Sequence, residues 1–207
     1  MVIVISSPIQ VKNEAFLINQ LFDEGLCIFH IRKPESSAQE LVLLLQEINP
    51  IHYSKIALHS YHYLAKSFGI NRLHFTEASR KQLTDKDFNG FKTEDFILST
   101  SVHTIEDFNT LSEDFEYAFL SPVFDSISKT AYKAKKFNLS LRKKTSPKLI
   151  ALGGLSKDNC QTALEMGFDG VALLGSIWNG DDVKNNYNQI SQSLAEANGV
   201  KINKINV

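Results

Sequence analysis

The stretch Lys148–Trp178, KLIALGGLSKDNCQTALEMGFDGVALLGSIW, contains one complete βαβ unit. Its two apolar runs, Lys148–Leu152 and Asp169–Leu174, are typical of strands buried on both faces of a parallel sheet. Between them, apolar residues at helical spacing from Cys160 to Met166 predict a helix that ends at Gly167. Two neighbouring parallel strands joined by a helix are therefore expected here.

Each strand of this unit is followed by a glycine turn. Gly153-Gly154 follows the first strand and Gly175-Ser176 follows the second. Glycine has no side chain, so backbone N–H groups in such turns can approach an anion closely, and several amides can bind it together. The sequence therefore predicts a phosphate-binding cup built from the two turns.

The rest of the chain repeats the same alternation. Besides the two strands above, the apolar runs predict strands at Val2–Ser6, Leu26–Ile31, Lys55–Leu58, Asn71–Phe75, Phe96–Thr100 and Glu116–Leu120. Amphipathic stretches predict helices near Ala15–Phe22, Ser36–Ile48, Tyr61–Phe68, Thr104–Leu111, Phe137–Lys144 and Asp181–Ala195. Eight predicted strands alternating with helices indicate an α/β fold, a single-domain (β/α)₈ TIM barrel over residues 1–207 with a short C-terminal tail from about residue 198. A doubly wound open sheet is the main alternative, although no Gly-x-Gly-x-x-Gly turn opens the chain.

Composition bounds the class of protein. The chain has 207 residues, 43% of them hydrophobic, which is enough for one hydrophobic core. Its formal net charge of -1 gives no overall attraction to nucleic acid or membrane. No apolar run approaches the roughly 20 residues of a membrane span, so a cytoplasmic protein is expected. Cys27 and Cys160 fall in apolar patterns and are expected to be buried, reduced thiols.

In a barrel of this kind, residues that follow the strand ends build the active site. Here they are rich in histidine and cations: His30, Arg32, His59, Ser60, His74, Glu77, Ser101, His103, Pro122, Asp125, Ser126, Ser128 and Lys129. Several histidines at strand ends, and the His59-x-x-His62 spacing, raise the hypothesis of a transition-metal site, which would need three or four convergent ligands. The alternative is that these histidines form ordinary hydrogen bonds. His103 could act as a proton donor, as an acceptor or only as a helix cap.

A basic segment follows the sixth predicted strand. Between Ser126 and Lys148 it has no acidic residue and eight cations: Lys129, Lys133, Lys135, Lys136, Arg142, Lys143, Lys144 and Lys148. A solvated helix face would explain most of them. Lys129 lies nearest the strand end, where it could reach a bound phosphate or diphosphate. No groove-reading or stacking motif accompanies the segment, which argues against nucleic-acid binding.

The ordered set of turns resembles the thiamine-phosphate synthase and thiazole tautomerase family from about residue 2 to residue 180. The residues that carry the resemblance are His30–Lys33, Leu73-His74, Ser99–Thr104, Leu120–Lys129, Ile150–Gly154 and Asp169–Leu174. The resemblance implies an enzyme of thiamine biosynthesis. Such a synthase transfers a hydroxymethylpyrimidine group from its diphosphate to thiazole phosphate and releases diphosphate with the help of Mg²⁺.

The resemblance also assigns residue roles. It implies that Arg32 and Lys129 bind the diphosphate, and that Gly153, Gly154, Gly175 and Ser176 bind the thiazole phosphate. Cations placed there would stabilise the charge that develops on the departing oxygens. His103 is a third catalytic candidate, and further substrate-binding candidates are His30, Lys33, His59, His74, Ser101, Ser126 and Ser128.

The chain departs from the family pattern at the metal-binding positions. The pattern has aspartates after strands three and four, where this chain has His59-Ser60 and Ser79. Glu77 or Asp125 could replace them, because Mg²⁺ often needs only one or two carboxylates besides substrate phosphate oxygens.

Two alternative functions stay open. The tautomerase branch of the family needs no metal and commonly has His-Ile-Arg after strand two, as at His30 here, but it uses a histidine beside strand six, where this chain has Pro122. In that alternative His30, His74 or His103 moves the proton. The other alternative is a non-catalytic protein that binds thiazole phosphate. The strand-six loop favours the synthase. The expected partners are small molecules, with no nucleic acid and no membrane. Assembly into a homo-oligomer stays open.

Overall fold

The computed structural model describes residues 1–125, 134–180 and 182–197. The strands are β1 (Val2–Ile5), β2 (Ile28–Ile31), β3 (Ile56–Leu58), β4 (Arg72–Phe75), β5 (Ile97–Val102), β6 (Phe115–Leu120), β7 (Lys148–Leu152) and β8 (Gly170–Leu173). Each strand pairs in parallel with the next, and β1 pairs with β8, so the sheet closes into a barrel. The predicted (β/α)₈ barrel is confirmed, and the open sheet is excluded.

The interior of the barrel is apolar on one side and polar on the other. On the apolar side, Ile3, Ile5, Ile28, Ile150 and Ala172 pack together with Tyr117 and Phe119. Side chains alternate between the two faces of a strand, so His30 faces the same way as Ile28, and Phe29 packs against the outer helices. The parallel register sets Ile5 beside His30, and His74 beside Ser99. This alternation brings polar side chains of the middle strands inside the barrel.

The helices surround the barrel. They are α1 (Glu14–Asp23), α2 (Ala38–Glu47), α3 (Ala65–Phe68), α4 (Glu77–Arg80), α5 (Asp85–Thr93), α6 (Ile105–Asn109), α7 (Cys160–Glu165), α8 (Gly175–Trp178) and α9 (Val183–Ala197), with 3₁₀ turns at Pro50–Lys55, His62–Leu64 and Leu139–Leu141. In the part of the chain described, no helix combines the length and the apolar character that crossing a membrane requires. Helices α4 and α5 were not predicted. The capping box of Thr84 and Asp87 at the start of α5 was the available signal.

The helix predicted at Phe137–Lys144 is wrong, because this segment contains only the 3₁₀ turn Leu139–Leu141. Side chains satisfy its backbone groups in place of helical hydrogen bonds. Asn109 donates to the Leu141 carbonyl at 2.9 Å and accepts from the Lys143 amide at 2.9 Å. Arg142 pairs with Asp169 at 2.6 Å. The basic residues here anchor a loop to the barrel and do not form a helix face.

The two cysteines differ in their environments. Cys160 lies on α7 and is 1% exposed, as expected, and burial raises the pKa of its thiol to about 12. The expectation for Cys27 is wrong, since its side chain is exposed. Cys27 precedes β2, which begins at Ile28, so its place in an apolar run does not put it in the core.

Candidate active site at the barrel mouth

The turn after β7 packs directly on the loop after β6. Gly153 and Gly154 have φ angles of 99° and 65°, a left-handed conformation that favours glycine. The amide of Phe124 donates to the Gly153 carbonyl at 3.1 Å. A β-carbon on Gly154 would lie 2.6 Å from the carbonyl carbon of Phe124. Glycine is therefore required at 154 for both conformation and space, and this turn holds the β6 loop in place.

The second turn begins the short helix α8. Strands β7 and β8 pair with Leu152 beside Ala172, so the turns that follow them lie next to each other. The Trp178 indole donates to the Ile5 carbonyl at 2.6 Å and fixes α8 against β1. Within the described residues, the buried hydroxyl of Ser176 has no hydrogen-bond partner. A buried unpartnered hydroxyl beside two glycine turns fits the predicted phosphate cup, which stays a prediction.

Three histidines converge inside the barrel near its mouth. His30 lies on β2, His59 directly follows β3, and His74 lies on β4. His30 Nδ1 lies 2.8 Å from His59 Nε2, and the His59 and His74 rings stack with centroids 4.0 Å apart. His62 is not part of this group, because its Nε2 bonds the Leu58 carbonyl and its ring packs on Phe75.

Further polar groups surround this histidine cluster. His30 Nε2 lies 2.6 Å from the Tyr117 hydroxyl. The two ring nitrogens of His74 lie 3.0 Å and 3.1 Å from the hydroxyls of Ser99 and Ser101. The sequence assigns no site role to Tyr117, whose strand has the pattern of ordinary core, and Ser99 enters only within the stretch that carries the resemblance. The period of two along β5 and β6 is the signal that could indicate their inward position.

Burial keeps the cluster uncharged. It lowers the pKa of His74 to about 3, with the charges of His62 and Arg32 acting in the same direction. Burial also holds the pKa values of His30 and His59 well below the usual range, and raises that of Tyr117. The imidazoles are therefore neutral at neutral pH, and each can donate a lone pair to a hydrogen bond or to a metal.

The two cations after β2 differ. Arg32 has an exposed side chain, and its backbone is held by the Ser6 hydroxyl, which accepts from the Arg32 amide at 2.8 Å. Lys33 is 5% exposed and its ammonium group donates to Glu14 at 2.5 Å and to the Ile9 carbonyl at 2.7 Å. Within the described residues no side-chain contact holds Arg32, which can reach a ligand at the mouth. Lys33 is held by Glu14, and its substrate-binding role stays a prediction.

The loops after β4, β5 and β6 meet at His103. Its imidazole is exposed, with Nδ1 3.0 Å from the Ser121 carbonyl and Nε2 3.9 Å from the Glu77 carboxylate. The contact with Ser121 links His103 on the β5 loop to the β6 loop. It agrees with either a structural role or a proton-transfer role for His103. Ser126, Ser128 and Lys129, which the sequence also placed at this mouth, lie outside the described residues.

The predicted magnesium ligands do not form an oxygen-ligand set. One oxygen of Glu77 is bound by Lys81, and Oδ1 of Asp125 accepts the Ala134 amide at 2.6 Å. Among the described residues, the group of three or more potential metal ligands that converges is the histidine cluster, and neither carboxylate belongs to it. Magnesium prefers oxygen ligands. Mg²⁺ can also be held by one or two carboxylates together with substrate phosphate oxygens, so the roles of Glu77 and Asp125 stay predictions.

Comparison with known proteins decides the family. A family model described as thiamine monophosphate synthase matches residues 1–177. The chain belongs to this family. Thiamine monophosphate synthase family members are enzymes of thiamine biosynthesis that act on small molecules, so the resemblance read from the ordered turns is confirmed.

Individual members of the thiamine monophosphate synthase family show how far the similarity extends. A thiamine-phosphate synthase of Leptospira biflexa is 26% identical over 165 residues, which cover 74% of this chain and 77% of that protein. The crystal structure of a thiamine phosphate pyrophosphorylase from Bacteroides thetaiotaomicron superposes with a TM-score of 0.75 at 26% identity, covering 93% of this chain and 96% of that one. A thiamine phosphate pyrophosphorylase from Pyrococcus furiosus has the same fold, with a TM-score of 0.75 at 15% identity over 95% of this chain and 96% of its own.

Proposed function

We propose that this protein transfers a hydroxymethylpyrimidine group from its diphosphate to thiazole phosphate, the reaction of a thiamine-phosphate synthase. The observation that carries the proposal is the position of the two glycine turns. They follow adjacent strands β7 and β8, and the first packs against the β6 loop. The second carries the Ser176 hydroxyl, which has no hydrogen-bond partner among the residues that the structure describes. A thiazole phosphate bound by these amides would lie at the barrel mouth.

Arg32 is the described cation best placed to act on the diphosphate. Breaking the bond between the pyrimidine methylene carbon and the diphosphate oxygen leaves negative charge on the departing oxygens, and a guanidinium can bind two of them at once. Lys129 is proposed for the same role from its position in the sequence. Magnesium stays a prediction from the family resemblance, and no step is assigned to it. A cytoplasmic location and assembly into a homo-oligomer also stay predictions.

The test is an assay of the purified protein with both substrates and Mg²⁺, in which thiamine phosphate is the expected product. Arg32→Ala should lower kcat/KM about a hundredfold or more, since it removes a charge that acts on the leaving group. Lys86→Ala, which removes an exposed cation on α5, is the matched control and should leave the rate unchanged. Isomerisation of the thiazole without any coupling would identify a tautomerase, and binding without turnover a phosphate-ligand binding protein. Either result would overturn the proposal.

A further inference from the structure

The histidine cluster has the composition of a transition-metal site. One ring nitrogen from each of His30, His59 and His74 lies within 4.8 Å of the other two. Imidazole nitrogen is a preferred ligand of Zn²⁺, Co²⁺, Ni²⁺ and Cu²⁺, and three histidines with a fourth open position form a common zinc coordination sphere. The donor atoms come from three consecutive strands of a closed barrel, so the backbone holds them on one wall.

The spacing of the nitrogens is close to what a metal requires. Zinc–nitrogen distances of about 2.0–2.1 Å and tetrahedral angles put neighbouring ligand atoms roughly 3.3 Å apart. His30 Nδ1 and His59 Nε2 are now hydrogen-bonded at 2.8 Å, so they would separate by about half an ångström when a metal replaces the shared proton. The other pairs lie within 4.8 Å, so each would close by at most about 1.5 Å. The His59 and His74 rings are stacked with their planes 23° apart, so one of the two rings must turn before both lone pairs point at one ion.

The outer nitrogens are already held by hydrogen-bond partners. His30 Nε2 contacts the Tyr117 hydroxyl at 2.6 Å, and His74 Nδ1 contacts the Ser99 hydroxyl, which in turn donates to the Leu73 carbonyl at 3.3 Å. If these outer nitrogens carry the protons, His30 Nδ1 presents a lone pair, and His74 Nε2 can bind a metal once it releases the Ser101 hydroxyl, which lies 3.1 Å away. Partners of this kind fix the tautomer and ring orientation of metal-binding histidines.

We infer that His30, His59 and His74 form a binding site for a divalent transition metal such as Zn²⁺ or Co²⁺. His30 and His74 are 0% and 1% exposed, whereas His59 is half-buried, so the ion enters past His59 from the barrel mouth. The fourth coordination position is left to water or to a ligand in the mouth. The site is distinct from a magnesium site, because nitrogen donors select against Mg²⁺. The inference does not depend on the proposed coupling reaction.

Cobalt is the probe that tests this site. The full-length protein is stripped with a chelator, desalted and titrated with Co²⁺, and the visible absorption of nitrogen-ligated Co²⁺ is recorded. One equivalent should bind saturably, Zn²⁺ should remove the band, and excess Mg²⁺ should not. Tyr117→Phe, which keeps every ligand and removes an outer hydrogen bond, should weaken the affinity about tenfold to a hundredfold.

The ligand variants decide the outcome. His59→Ala and His74→Ala should weaken Co²⁺ binding more than Tyr117→Phe does, while His103→Ala, which removes an exposed imidazole outside the cluster, should leave it unchanged. Circular dichroism reports whether each variant folds. If His74→Ala does not fold, His59→Ala is the decisive variant, because His59 is only half-buried. Absence of a saturable band, displacement by Mg²⁺, or equal affinity in His59→Ala and the unmodified protein would overturn the inference.

Discussion

Lys33 and Glu14 form an ion pair at 2.5 Å in which the side chains are only 5% and 6% exposed. The pair joins the end of β2 to the start of α1. Burial raises the pKa of Glu14 even though the Lys33 ammonium acts to lower it, so removing Glu14 from water has a substantial cost. Glu14 Oε1 also has no hydrogen-bond partner within the part of the chain described. The interaction is therefore sensitive to loss of either partner.

We predict that Glu14→Ala lowers the free energy of unfolding by about 3–5 kcal/mol, because the Lys33 ammonium would remain buried without its counter-charge. Lys66→Ala is the control, since it breaks an ion pair with Glu94 in which the side chains are 64% and 40% exposed. Exposed pairs contribute less than about 1 kcal/mol. Urea unfolding at neutral pH measures both changes, and equal losses in the two variants would contradict a special role for the buried pair.

Gly154→Ala should weaken binding of thiazole phosphate and also lower the free energy of unfolding. A β-carbon there meets the Phe124 backbone and must displace the β6 loop from the glycine turn. Gly69→Ala is the matched control, because Gly69 has a φ angle of 68° and no heavy atom within 4 Å of the added carbon. In Gly69→Ala the free energy of unfolding should fall by about 1–2 kcal/mol because of the left-handed conformation alone, and the affinity for thiazole phosphate should stay unchanged. Calorimetric titration and urea unfolding separate the effects, and unchanged affinity in Gly154→Ala would mean that the cup lies elsewhere.

The sequence predicted every strand because parallel strands buried on both faces are largely apolar, and some, such as Val2–Ile5, are apolar without interruption. It could not predict that His30, His59 and His74 converge, because this depends on the register between strands and on which residues face inward. The charge of Lys33 suggested a ligand, but the buried partner Glu14 lies on another element. Helix periodicity at Phe137–Lys144 was misleading, because distant side chains such as Asn109 bond that backbone.

Ser176→Ala should reduce affinity for thiazole phosphate without reducing stability. The Ser176 hydroxyl has no protein partner to lose among the described residues, while a hydrogen bond to a charged phosphate contributes about 1.5–3 kcal/mol, or roughly tenfold to a hundredfold in Kd. Ser37→Ala should give the opposite pattern. Ser37 caps α2 by accepting from the Glu40 amide, so its loss costs about 1 kcal/mol of stability and leaves affinity unchanged. A stability loss in Ser176→Ala with full affinity would remove this serine from the cup.

Acid should destabilise the chelated protein through its buried histidines. The pKa of His74 is about 3 in the folded chain against an ordinary value of 6.5, so between these limits the unfolded chain binds the proton and the folded chain does not. The free energy of unfolding should therefore fall by about 1.4 kcal/mol per pH unit below about pH 6 for His74 alone. The lowered pKa values of His30 and His59 act in the same direction. Urea unfolding at several pH values should show a shallower slope of the free energy of unfolding against pH in His74→Asn than in the unmodified protein. Equal slopes in His74→Asn and the unmodified protein would show that His74 is not held neutral by the fold.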